Sequence, residues 1–154
     1  RRLFELVGGL FNRTKEAERL IAAFDAALAG VEDSRSARRA LYLIWRDPWM
    51  TISRDTYISK FLALAGWRTV AHNDKVRYPE VTIDDTLLDE VDDVLFSTEP
   101  YTFSEADLAA FMEAHPTHAA KARLIDAEMV SWYGSRAIAG LHYLKDFAAK
   151  VRGR

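Results

Sequence analysis

Ala40-Leu41-Tyr42-Leu43-Ile44-Trp45-Arg46-Asp47-Pro48-Trp49-Met50 is the stretch on which the fold turns. Residues 40–45 form an unbroken apolar run, the pattern of a strand buried on both faces. A proline-containing loop follows at once, and Ser53 then stands ready to cap a helix over 54–65 that Gly66 ends. The unit strand, loop, helix is thereby set, and the rest of the chain repeats it.

Downstream, residues 67–71 read as a second, short strand. Thr82 with Asp85 forms a capping-box spacing for a helix over 83–90. Residues 94–97 read as the third strand. Ser104 with Asp107 repeats the box for a helix over 105–114, and Pro116 lies just beyond its stop. Residues 123–126 read as the fourth strand, and Ser135 opens a last helix to about Val151. Strands alternating with helices predict an α/β lobe, with a four-stranded, mostly parallel sheet and flanking helices. Upstream, Leu3, Leu6, Val7, Leu10, Ala17, Leu20, Ile21, Phe24, Ala27 and Leu28 recur at three- and four-residue steps. They predict one long helix over 1–30, ended by Gly30, with Gly8 and Gly9 as its weak point. Such a rod, roughly 40 Å long at 1.5 Å per residue, exceeds what a lobe of this size needs for cover. The expected division is a helix at 1–31 and an α/β lobe at 32–154, with a polar linker over 32–39. The chain opens on Arg1 inside the amphipathic pattern, so an earlier segment is expected to precede it.

The 154 residues fit one domain of ordinary size, and 49% hydrophobic with 29% charged residues is a globular composition. A net charge of −2 supplies no basic field for nucleic acid. No apolar run approaches the ~18 residues that span a bilayer. With no cysteine, disulfides and thiolate chemistry are excluded.

In a parallel sheet, ligands bind beyond the carboxyl ends of the strands. Three of the four tryptophans, Trp45, Trp49 and Trp132, fall just after predicted strands. Near them stand Arg46, Arg77 and Arg136, with Met50, Tyr78, Glu99 and Tyr133. Indoles contribute most when buried, so loops holding several of them call for a partner. Aromatic faces with guanidinium groups suit a large, partly flat, partly anionic organic molecule. The plain alternative is that the loop aromatics are lids on the core and that Arg46 pairs with Asp47, and Arg136 with Glu99 or Glu128. Trp67 opens a strand at the opposite end and reads as packing.

Enzyme signatures are absent. There is no Gly-x-Ser-x-Gly elbow, no phosphate-cradling glycine loop and no dinucleotide fingerprint. His115 and His118 are separated by Pro116 and read as a solvated turn; His142 reads as a surface residue. Glu99 and Glu128 are the available acid/base pair, in a flavodoxin-like reading without a recognisable nucleophile. A third reading is a protein-interaction module. Asp84 and Asp85 open a helix, which its dipole favours, and with Glu80 they form an acidic knob.

The long helix with Glu5-Leu6-Val7-Gly8-Gly9, then Arg46-Asp47-Pro48-Trp49-Met50, Leu64-Ala65-Gly66-Trp67, Tyr78-Pro79-Glu80-Val81-Thr82 and Ser131-Trp132-Tyr133-Gly134-Ser135-Arg136 occur in a characteristic order. Together they resemble the C-terminal lobe and connecting helix of a class III periplasmic substrate-binding protein, the type that serves ABC importers of cobalamin, haem and ferric siderophores. The resemblance implies a non-enzymatic protein of the periplasm or cell envelope, without a resident cofactor or metal. Its ligand, a large organic metal chelate, is held between two lobes, and here the N-terminal lobe is absent. It implies ligand contacts at Trp45, Trp49, Met50 and Trp132; from their place on the loops, Arg46, Arg77, Tyr78, Glu99, Tyr133 and Arg136 are expected to join them. It also implies docking of Asp84 and Asp85 on an ABC permease of the inner membrane.

Overall fold

The computed structural model describes residues 1–32, 37–70, 73 and 75–153. Two compact units are formed, one from residues 1–35 and 129–154, the other from residues 36–128. The second contains the sheet. Strands β1 (Arg38–Leu43), β2 (Trp67–Thr69), β3 (Asp93–Ser97) and β4 (Ala122–Ile125) lie in the order β2-β1-β3-β4. Every pairing is parallel, with Leu41 opposite Val94 and Phe96 opposite Leu124. The sheet is thus parallel throughout, and each strand falls within two residues of its expected position.

The central strands are buried along their length: Ala40, Leu41, Tyr42 and Leu43 on β1, all of β3. Leu41, Leu43, Val94, Phe96, Leu88, Phe103, Leu108 and Phe111 form one core cluster. Helix α3 (Tyr57–Leu64) packs on β2, and α5 (Glu105–Ala114) on β4. Gly66, at φ +94, turns the chain from α3 into β2, a conformation that disfavours any side chain with a Cβ.

The caps differ in part from expectation. Thr56, not Ser53, caps α3 by accepting from Ser59 N. Ser53 Oγ instead donates to the carbonyls of Asn73 and Val76, so its hydroxyl is committed to the neighbouring segment. The short α4 (Asp85–Asp89) is capped by Asp84, whose carboxylate accepts from Leu87 N at 2.8 Å, in place of Thr82. The Ser104–Asp107 box on α5 is formed as the spacing predicts. At the amino edge of the sheet, Asp93 is fully buried and accepts from Arg38 Nε (2.7 Å), Arg38 Nη2 (3.0 Å) and Trp67 Nε1 (2.8 Å). Trp67 is a packing residue, as its position implied.

The other unit corrects the long helix. Residues 1–30 are not one rod: α1 (Arg2–Leu10) and α2 (Thr14–Glu32) are separate and pack against each other, and α2 packs on α7 (Arg136–Arg152). The reversal sits at Asn12, at φ +54, a left-handed conformation that asparagine tolerates. Gly8 permits the close approach, since a Cβ there would lie 2.5 Å from Ala17 Cβ. Gly30 ends nothing, because α2 runs through it to Glu32. The last helix groups with this unit, unlike the expected division near residue 32. The segment expected as a loop after β4 holds a short helix, α6 (Ala127–Ser131).

Candidate functional site

The carboxyl edge of the sheet in residues 36–128 is built as a braced lip. Chain leaving β1 closes a small loop in which Met50 N donates to Trp45 O and Ile44 N to Met50 O. Residues 49–53 then pair antiparallel with 77–81: Thr51 N donates to Pro79 O, Ser53 N to Arg77 O and Val81 N to Trp49 O. Thr51 Oγ1 donates back to Tyr42 O at 2.7 Å, and Tyr101 N donates to Ile44 O. The loops after three strands are therefore tied to each other through backbone hydrogen bonds. Such bracing lowers the ordering cost of binding.

The aromatic residues of the lip form two layers. In the inner layer, Trp49 stacks on Phe103 (6.0 Å between ring centroids, planes 10° apart) and meets Phe96 edge-on at 6.3 Å. Trp49 is half-buried against the core, so it is mostly a lid, and Phe103 is wholly one. In the outer layer, Trp45 is 41% exposed and edges onto Tyr101 at 5.7 Å; Tyr101 meets Phe103 at 4.5 Å. Tyr78 and Arg77 are exposed, Met50 is half-buried, and Glu99 is an exposed carboxylate. Arg46 lies over the Trp49 ring, its guanidinium carbon 5.6 Å from the centroid. Its main partner is Asp107 (3.0 Å), with Asp47 at 3.8 Å. Only the second of these was anticipated, because Asp107 is distant in sequence and reaches the lip from the first turn of α5. Hydrogen bonds from Ser104 lower the Asp107 carboxyl below its usual range, and Arg46 adds to this.

Trp132 (53% exposed), Tyr133 (68% exposed) and the exposed Arg136 belong to the other unit, at the start of α7. Glu128 is half-buried. Among the described residues no group of three His, Asp or Glu side chains could hold a metal ion; the cysteine-free chain supplies no thiolate. Among the described residues, no helix is long and apolar enough to cross a membrane.

The acidic residues lie elsewhere on the same unit. Glu80, Asp84, Thr86 and Glu90 line a groove of about 400 Å³ with Val81, Thr82 and Leu87. Asp84 is engaged in its cap, while Asp85 stands 3.8 Å from His118 Nδ1. His118 corrects the reading of a solvated turn: it is buried, and its Nε2 lies 2.8 Å from Asp89 Oδ1. It sits in a 3-10 turn over Pro116–Lys121 that packs against α5, where His115 lies 4.9 Å from the Phe111 ring. A buried histidine needs such a partner, and the partner is 29 residues away, beyond the reach of spacing arguments.

The fold, four parallel strands with flanking helices, is one that this chain shares with solved periplasmic binding proteins. The periplasmic vitamin B12 binding protein BtuF of Vibrio cholerae superposes with a TM-score of 0.72 at 15% identity, covering 92% of this chain and 55% of that one. IsdE of S. aureus, solved with heme, gives 0.68 at 13% identity, covering 94% of this chain and 62% of that one. The Fe3+-hydroxamate transport protein of Saccharomonospora viridis gives 0.68 at 18%, covering 94% and 53%. This chain thus spans little more than half the length of the structures it matches. No protein-family model matches the sequence, and no curated protein sequence is significantly similar to it.

Proposed function

We propose that this chain is the C-terminal lobe, with its connecting helices, of the substrate-binding component of an ABC importer. Its ligand is a large organic metal chelate: cobalamin, haem or a ferric siderophore. It acts without catalysis, in the periplasm or cell envelope, and hands its ligand to a permease. The observation that carries this reading is the braced aromatic lip at the carboxyl edge of the sheet, with Trp45 exposed above it and Arg46 at its side. A parallel-sheet lobe binds ligands at that edge. The neighbours in fold include a vitamin B12 binding protein, a protein solved with heme and an Fe3+-hydroxamate transport system, which agrees with that chemistry.

Trp45, Arg46, Met50, Arg77, Tyr78 and Glu99 are the proposed contacts on the lip, with Trp49 supporting from below. The proposal for Trp132, Tyr133 and Arg136 rests on their exposure alone. Asp84 and Asp85 are proposed to meet the permease, Asp85 with the freer carboxylate. Titration of tryptophan fluorescence with cyanocobalamin, haemin and a ferric hydroxamate tests the reading. Saturable quenching by one of them, weakened several-fold in Trp45→Ala and in Trp132→Ala, is expected; a flat response to all three removes capture as the function of this chain.

A further inference from the structure

The partner of Arg46 decides what the lip can hold. Asp107 is fixed in place: Ser104 N and Ser104 Oγ both donate to its Oδ2, at 2.9 and 2.7 Å, which leaves Oδ1 for Arg46 Nη1 at 3.0 Å. The capping box of α5 therefore aims one carboxylate oxygen at the lip's arginine. Asp47 Oδ2 lies 3.8 Å from Nε of the same guanidinium. The carboxylate is ionised at neutral pH, since its hydrogen bonds favour the charged form. Among the described residues of segments 45–50, 77–79 and 99–103, together with Asp107, two cations (Arg46, Arg77) stand against three carboxylates (Asp47, Glu99, Asp107), while Glu80 lines the acidic groove. An arginine so compensated still has N–H groups free of Asp107, because a guanidinium carries five. These suit neutral carbonyl or amide oxygens. A ligand carboxylate would instead approach an arginine whose charge is already met, past like charges that repel it.

We propose that Asp107 is a specificity-determining residue of this site: by compensating Arg46 it sets the lip to accept a neutral, amide-rimmed ligand and to disfavour a carboxylate-bearing one. Asp107 is a positioning residue, acting through Arg46. The inference rests on the capture reading above and narrows its ligand class.

The experiment uses one ligand in two charge states. Cyanocobalamin, and cyanocobalamin with one peripheral amide hydrolysed to a carboxylate, are titrated against the wild-type chain, with haemin as a third probe. The neutral form is expected to bind more tightly. In Asp107→Asn, which keeps an oxygen for the Ser104 N–H, the preference is expected to shift toward the carboxylate form by about 5-fold, the scale of one partly exposed charge pair. A purely structural role for Asp107 would weaken both forms alike and leave their ratio where it was, which overturns the proposal. Tighter wild-type binding of the carboxylate form overturns it without any variant, so a poorly folding Asp107→Asn does not protect it. Binding of haemin alone overturns the inference and leaves capture standing; silence from all three probes removes capture itself.

Discussion

Asp93 shows what one residue holds together. Its carboxylate is sealed from solvent and takes three hydrogen bonds, two from Arg38 and one from the Trp67 indole. The same contact raises the Arg38 pKa further above its ordinary value. Removing one partner of a buried pair strands the other. Asp93→Ala should therefore lower the unfolding free energy by about 3–5 kcal/mol, read by urea denaturation. Against a typical total of roughly 5–15 kcal/mol, that is a large fraction. Asp107 gives a pH signature. Its folded pKa lies below the unfolded value, so its contribution is complete above the ordinary carboxylate range, about pH 4, and is lost as pH falls through the lowered value. Denaturation midpoints followed from pH 6 to 3 should fall less steeply in Asp107→Asn than in wild type. A parallel pair of curves would show that Asp107 gives no net preference to the folded state.

At the scale of elements, the two glycines of α1 divide sharply. A Cβ at Gly8 would overlap Ala17 Cβ, whereas a Cβ at Gly9 meets nothing within 4 Å. Gly8→Ala should force α1 off α2 and destabilise by about 1–3 kcal/mol. Gly9→Ala should stabilise by about 0.5–1 kcal/mol through helix propensity. Thermal melts of the two variants give the comparison directly, and equal shifts would dismiss the close-packing account of Gly8. The sequence shows this region as helical because the apolar spacing is strong, yet the spacing cannot reveal the reversal. From Leu10 the apolar positions resume at Ala17, seven residues and about two helical turns on, so they stay in phase with one continuous helix and a single left-handed residue between them leaves no periodic trace. The strands were legible for the opposite reason. Residues 40–45 and 94–96 are continuous apolar runs bounded by polar residues, and burial on both faces leaves their strands no other place. The lip was legible only in its parts: Trp45 and Arg46 stand out by type and position. Asp107 and the inward turn of Trp49 are products of tertiary contact, and nothing local distinguishes Trp49 from Trp45.

For the molecule as a whole, binding and stability are linked. A ligand at 100 times its Kd, bound only by the folded chain, adds about 2.7 kcal/mol. For a chain of this length that corresponds to a rise in Tm of roughly 5–11 °C, from about 2–4 °C per kcal/mol. Cyanocobalamin at saturating concentration should produce such a rise in a calorimetric scan, and its absence at demonstrated saturation would mean that the ligand also binds the unfolded chain. The lip residues should govern this shift, and Asp93→Ala should lower the baseline without changing its size, because the pair lies at the amino edge of the sheet, away from the lip.

The four indoles of this chain also form a graded optical set. Trp67, shut away with its N–H clamped to a carboxylate, lies out of reach of a dissolved collisional quencher such as acrylamide, while Trp45 and Trp132 are open to it. Emission surviving at high acrylamide then comes from Trp67, with a smaller share from the half-buried Trp49. That residual light is an internal gauge of integrity, against which any dimming of the outer indoles by a coloured chelate can be corrected within the same cuvette.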